Sequence, residues 1–181
     1  MNGFIDHGCQ NLKTCGHFLF LLERTIRNLR LVMVTPVAIV ILIKDINEKS
    51  CKFWMQERLE SGPLNGLLEF PGGKIESGED SVEAGKREFL EEAKVELKKV
   101  ILFKIKSFEY SDRNVCLFTH FSNGEGVSPA SGQWYEFSFD EKSLPYKGRL
   151  PEVNYEIIDD LLKYISKHID AGMLERIWEQ K

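Results

Sequence analysis

The chain has no cysteine pair at C-x-x-C spacing: its four cysteines stand at positions 9, 15, 51 and 116, which indicates neither a zinc site nor a disulfide framework. It has no surplus of positive charge either. Against 24 Lys and Arg stand 28 Asp and Glu, a formal net charge of −4 and the wrong sign for a general nucleic-acid binder. Long apolar runs are absent near the start, where Phe18–Leu22 is followed at once by Glu23 and Arg24, too short and too charged for a signal peptide or a membrane span. The four histidines are scattered, and His120, inside an apolar strand-like run, reads as a satisfied core residue rather than a ligand. No internal repeat is visible. A reduced, cytoplasmic, non-membrane protein is the expectation.

What is present is a chain of 181 residues, 43% hydrophobic, enough for one domain with a proper core. Residues 1–33 differ in pattern from the rest of the chain and form an N-terminal extension. They read either as an amphipathic helix around Gly16–Leu31 that caps the domain or pairs subunits, or as a segment the functional unit does not need. From Pro36 the pattern is regular. Val37–Ile43 predicts a buried strand, Asp45–Lys49 its turn, and Cys51–Glu57, with Phe53 and Met55 alternating, its hairpin partner. Val100–Phe108, Val115–Phe121 and Gln133–Phe139 predict further strands. Ile157, Ile158, Leu161, Leu162 and Ile165 mark one face of a long helix over Glu152–Ile169. Strands before and after a central helix, closed by a final helix, predict an α/β fold with a mixed central sheet between helical layers, over residues 34–170. The tail at 171–181, with Met173, Leu174, Ile177 and Trp178 at helical spacing, packs on its own chain or on a second copy, so a homodimer is an open arrangement.

The chemistry concentrates in Gly73-Lys74-Ile75-Glu76-Ser77-Gly78-Glu79 and Arg87-Glu88-Phe89-Leu90-Glu91-Glu92. A helix turns about 100° per residue, so Glu88, Glu91 and Glu92 share a sector roughly 100° wide. Like charges three and four apart destabilise a helix by about a few tenths of a kcal/mol each. A cation removes that cost, and hard oxygen ligands of this kind suit Mg²⁺ or Mn²⁺, which keep several waters and share substrate phosphates as ligands. On the other side Val82, Gly85, Phe89 and Ala93 form a buried stripe that fixes the helix to a core. Pro71-Gly72-Gly73 and Gly78 predict a tight loop ahead of it, with positive φ open to each glycine. The plain alternative is an acidic solvated helix after a glycine turn; the coincidence of Gly, Glu, Arg and Glu positions counts against it.

These residues carry a resemblance. Gly73, Glu79, Arg87, Glu88, Phe89, Glu91, Glu92 and Val95 match the Nudix box, and Leu68–Glu76 resembles the loop of its MutT branch, the nucleoside triphosphate pyrophosphohydrolases that clear oxidised guanine nucleotides. The likeness runs from about Val37 to Leu162 and implies the α/β/α Nudix fold and a Mg²⁺- or Mn²⁺-dependent hydrolase. It implies a metal set of Gly72 (through its carbonyl), Glu88, Glu91 and Glu92, with Arg87 orienting the glutamates and Glu79 supporting the loop or a second metal. It also implies a nucleotide site at Arg58, Phe70, Arg113 and Asn154. Each of the last group has a second reading: Asn154 as a helix cap, Phe70 as core filling, and the two arginines as solvated charges. Two positions depart from the family pattern. Lys94 stands where the box has a helix-ending glycine: a left-handed conformation there costs about 1–2 kcal/mol, or the helix ends differently by a turn, and an altered helix exit with intact chemistry is the expectation. Ser128 stands where the branch places a loop carboxylate, leaving nearby Glu125 or a box glutamate as base.

The resemblance implies cleavage of a purine nucleoside triphosphate such as dGTP or 8-oxo-dGTP to a monophosphate and pyrophosphate. A nucleotide sugar, ADP-ribose or an RNA 5′ end is the alternative substrate, and a nucleotide-sensing module without turnover is the alternative from another class.

Overall fold

The computed structural model describes residues 34–59, 61–62, 64–110, 113–140, 146 and 148–179. The extension read over 1–33 lies outside them. Val34–Lys181 forms one compact unit. Its elements in chain order are β1 (Val34–Lys44), β2 (Ser50–Glu57), β3 (Leu68–Glu69), β4 (Gly72–Lys74), α1 (Ser81–Ala93), β5 (Ile101–Glu109), β6 (Asn114–Asn123), β7 (Gln133–Ser138) and α2 (Glu152–Asp170), followed by a 3₁₀ turn at Leu174–Trp178.

Strict alternation along β1 places the sheet between two helical layers. Ile39, Ile41 and Ile43 face a cluster shared with Ile157, Ile158, Leu161, Leu162 and Ile165 of α2, while Val40 and Leu42 face Phe89 and Ala93 of α1. Both faces are covered, so β1 reads as a continuous apolar run with no polar side. Trp54 of β2 reaches the α1 layer, its ring centroid 5.6 Å from that of Phe89. Gly85 lets the helix approach closely, since a Cβ there would fall 2.9 Å from Val40 Cγ2. The tail joins the other layer: Ile177 is fully buried and Trp178 lies edge-on to Phe121, centroids 5.8 Å apart. His120 is buried between Ser81 Oγ (3.1 Å) and the Ile39 carbonyl (3.2 Å), and burial holds its pKa below the ordinary value.

The sheet is mixed. β1 runs parallel to β6 over Val34–Ile43, and the other pairings are antiparallel, in the order β3-β2-β1-β6-β5, with β7 on β2 and β4 on β1. One edge of β1 is divided. Its second half pairs with β2, Leu42 opposite Trp54, and its first half pairs with β4, Ile39 opposite Gly72. Past Trp54, β2 leaves β1 and runs beside β3, with Gln56 opposite Glu69. The sheet therefore forks at Met55–Gln56 on one side and Pro71–Gly72 on the other.

Strand β4 replaces part of the loop expected from the glycines. Gly72 and Gly73 are not in the left-handed region, and of these three glycines only Gly78 is, at φ +89°. What the pair provides is closeness: a Cβ on Gly72 would lie 2.2 Å from the Ala38 carbonyl oxygen. A side chain at either position would push β4 off its neighbours.

Helix α1 begins with a capping box, which the Asp80-x-x-Glu83 spacing encodes. Asp80 accepts from the Val82 and Glu83 N–H groups at 2.8 Å, and Glu83 accepts from the Asp80 N–H at 3.0 Å. It ends on Lys94 at φ 58°, ψ 32°, so the altered exit expected for a lysine in place of the glycine does not occur and the left-handed one is kept, with its N–H on the Leu90 carbonyl at 3.1 Å. The strained cap is thus kept with a non-glycine residue. Lys94→Gly is expected to raise unfolding stability by about 1 kcal/mol, read as a higher denaturant midpoint at unchanged slope; an unchanged or lower midpoint would show that the side chain compensates for its backbone.

Candidate active site

Strand β4 and helix α1 meet where any side chain on the strand would displace a carboxylate of the helix. A Cβ on Gly73 would fall 2.2 Å from Glu88 Oε1, so the glycine is the cradle in which the first helix carboxylate lies. Arg87 then ties loop to helix. Its Nε and Nη2 donate to the two oxygens of Glu79 at 2.9 and 3.0 Å, its Nη1 donates to Glu88 Oε1 at 2.7 Å, and Nη2 also reaches the Lys74 carbonyl at 3.1 Å. A planar guanidinium can hold these partners together where a point charge cannot. Glu79 in turn accepts from the Glu76 N–H at 3.1 Å. Its carboxyl is held below the ordinary value of 4.5, first by Arg87 and then by that N–H, while the Arg87 pKa is raised in return.

Glu92 lies one turn further along, over the fork in the sheet. Gln56 Nε2 donates to its Oε2, and its carboxyl is pushed up to about 7, by burial first and then by the charge of Glu69. The Gln56 bond, a smaller contribution from Glu88 and the opposing Gly72 N–H complete the balance. A cleft of about 580 Å³ opens beside it, bordered by Gln56 and Glu57 of β2, Glu69 of β3, Glu92, and Ser131–Gln133 leading into β7. Arg58 bonds Glu69 at 2.8 Å on the same wall.

The donor chemistry fits a hard divalent cation. Glu69 and Glu92 line the cleft, Glu88 is one turn back on the same face of α1, and Glu91, its side chain 59% exposed, is held only loosely by Arg87 at 3.7 Å. Among the described residues no three such side chains converge as a finished cage; each has a separate partner or solvent, as mutually repelling charges do. Gly72 joins the group through its backbone, its N–H facing Glu92.

The remaining sequence-derived positions fall in separate places. Arg58 borders the cleft wall through Glu69. Phe70 is 4% exposed and packs edge-on to Phe53, centroids 6.5 Å apart, so the structure gives it the core-filling role and no open face for stacking on a base. Arg113 is exposed in the turn between β5 and β6, over the Tyr110 ring, and is not among the residues bordering the cleft. Asn154 is not the cap of α2: Pro151 is, without a side-chain bond, and the Asn154 N–H bonds the Pro151 carbonyl at 2.9 Å. Asn154 is 6% exposed, and its carboxamide makes no hydrogen bond among the described residues while keeping contact with solvent. The segment before it lies against β3, where Leu68 N–H bonds the Arg149 carbonyl at 2.7 Å. In the loop before β7, Ser128 is exposed, and Glu125 accepts from the Asp45 N–H at 2.7 Å, just past the end of β1. Gln56 and Glu69 were not singled out by sequence reasoning, because a strand-end amide and a lone Glu before Phe70 carry no spacing signal.

The Arg87 clamp generates a test. Arg87→Lys is expected to lower kcat by at least about tenfold while the melting temperature moves only a few degrees, since Lys keeps the charge and loses the fork; an unchanged kcat would remove the clamp from the mechanism. In the wild type the Glu79 contribution to stability is present above about pH 4.5 and is lost as pH falls through the lower folded value.

Comparison with known proteins agrees with this architecture. The family model described as NUDIX domain matches residues 34–160. The chain is 30% identical over 111 residues to an 8-oxo-dGTP diphosphatase of Haemophilus influenzae, covering 61% of this chain and 82% of that protein. To an 8-oxo-dGTP diphosphatase of Escherichia coli it is 33% identical over 73 residues, 40% of this chain and 57% of the relative. In fold it is similar to a MutT/nudix family protein from Enterococcus faecalis, with a TM-score of 0.59 at 16% identity over 84% of this chain and 69% of that one. No helix among the described residues is long and apolar enough to cross a membrane. With its box mounted on β4 and α1 and the family match spanning the sheet and most of α2, the chain belongs to the Nudix family and is one of its pyrophosphohydrolases.

Proposed function

We propose that this protein hydrolyses a purine nucleoside triphosphate, dGTP or 8-oxo-dGTP, to the monophosphate and pyrophosphate, with Mg²⁺ as the cofactor and Mn²⁺ able to replace it. The observation that carries the purine reading is Asn154. A carboxamide offers a donor and an acceptor side by side, and one that is 6% exposed without a partner among the described residues is suited to the edge of a purine. The 8-oxo-dGTP diphosphatases among the relatives support the same substrate class. Two free cysteines among the described residues, Cys51 and Cys116, suit a cytoplasmic setting.

Glu88, Glu91, Glu92 and the Gly72 carbonyl would hold the metal. When bound, it neutralises the diphosphate and lowers the pKa of an attacking water. Gly73 gives Glu88 its place, and Arg87, pinned between Glu79 and Glu88, keeps helix and loop in register. Glu79 supports the loop. Arg58, beside Glu69 at the cleft, is in reach of an incoming nucleotide's charged end after rearrangement of its ion pair. Phosphoryl transfer depends on positioning and charge neutralisation more than on covalent help, and these residues supply both.

A nucleotide sugar or ADP-ribose is the second reading, favoured by Ser131 and Gly132, small residues that border the cleft and leave room for a sugar. The products separate the two. Incubated with a panel of nucleotides, the wild type is expected to release pyrophosphate from purine triphosphates; two monophosphate-bearing products from a nucleotide sugar and none from dGTP would select the other reading. Asn154→Ala is expected to lower kcat/KM for dGTP about tenfold more than for dCTP or dTTP. Equal losses for purines and pyrimidines would take base recognition away from Asn154.

A further inference from the structure

Gln56 lies on β2 just past the point where that strand leaves β1, and its position follows from packing in the layer behind it. Trp54, two residues earlier on the same face, packs against Phe89 of α1, the rings tilted by 54°. Two residues along a strand advance about 6.7 Å, and three along a helix about 4.5 Å. The Trp54–Phe89 contact therefore brings Gln56 under Glu92, and Gln56 Nε2 donates to Glu92 Oε2. On the other side Gln56 stands opposite Glu69, which Arg58 holds at 2.8 Å. The rung is fixed at both ends.

We propose that Gln56 is the positioning residue for Glu92 in metal binding: its amide fixes one carboxylate oxygen so that the other faces the cation. This rests on the reading that the α1 carboxylates hold a divalent metal. The residue type fits the task. An ionised carboxylate only accepts, so the amide presents its NH₂ and anchors one oxygen without adding charge. Lys or Arg at this position would compete with the cation for Glu92, and Asp or Glu would add repulsion beside Glu69 and Glu92. A neutral donor orients the ligand and leaves its charge for the metal, the arrangement by which groups behind a ligand tune metal affinity.

Mn²⁺ binding to the full chain without nucleotide, followed by the electron paramagnetic resonance signal of free Mn²⁺, tests this. Gln56→Met keeps the length and removes the donor, and Gln56→Asn keeps the amide and loses the reach. Both are expected to weaken Mn²⁺ binding roughly tenfold while the metal-free melting curve stays cooperative. In the Glu92→Gln background the Gln56→Met change is expected to alter affinity less than twofold, because the amide acts through Glu92. Wild-type affinity in both single variants, or a full tenfold loss retained in the Glu92→Gln background, would overturn the assignment. A wild type that binds no Mn²⁺ would sink the metal reading itself, and this inference with it, whereas normal wild-type binding with insensitive variants sinks the inference alone.

Discussion

The site depends on a constraint of space: the Glu88 carboxylate of α1 lies over the backbone of β4, in room left by the hydrogen at residue 73. A Cβ there would collide with Glu88, one at residue 72 would collide with the Ala38 carbonyl, and one at residue 85 would press on Val40. Three glycines thus define three close approaches, of loop to helix, loop to sheet and helix to sheet. Arg87 locks the first with bonds to Glu79, Glu88 and the Lys74 carbonyl. The carboxylates above the fork inherit their positions from that assembly.

Charge and burial oppose each other at Glu92. Desolvation and the neighbouring Glu69 and Glu88 raise its pKa to about 7, while Gln56 and the Gly72 N–H favour its charged form. The result is a site built from groups that repel one another and are kept together by packing behind them, Trp54 on Phe89 and Val40 beside Gly85. Such an arrangement is costly to hold without a counter-charge, and a divalent cation would be the counter-charge that suits hard oxygen donors.

Much of this was legible in the sequence for a physical reason. The helix carboxylates, their arginine and the buried stripe recur at a single period within one short segment, and the apolar runs of β1 and α2 announce their burial directly. The left-handed Lys94 was not: a side chain fits that conformation poorly, which argued for an altered helix exit, yet the helix keeps the left-handed one. What else sequence reading did not reach depends on pairing between distant segments. The division of β1 between β2 and β4 and the Gln56–Glu69 rung arise from strand register, and the Gln56–Glu92 bond joins residues 36 apart. Phe70 was ambiguous because an aromatic residue beside a loop serves a core or a ligand equally well until its burial is seen. Asn154 was ambiguous for a related reason, and its place two residues after the start of α2, with Pro151 as the cap, separates it from capping.

The central claim is that the acidic face of α1, seated on Gly73, carries the reaction. Pyrophosphate release by Glu88→Gln at saturating Mg²⁺, on whichever nucleotide triphosphate the wild type cleaves best, tests it most directly, because Gln keeps the shape that fits the glycine and removes the charge. Turnover is expected to fall roughly a hundredfold or more with the melting curve still cooperative; turnover within a few-fold of wild type would take the reaction away from this face.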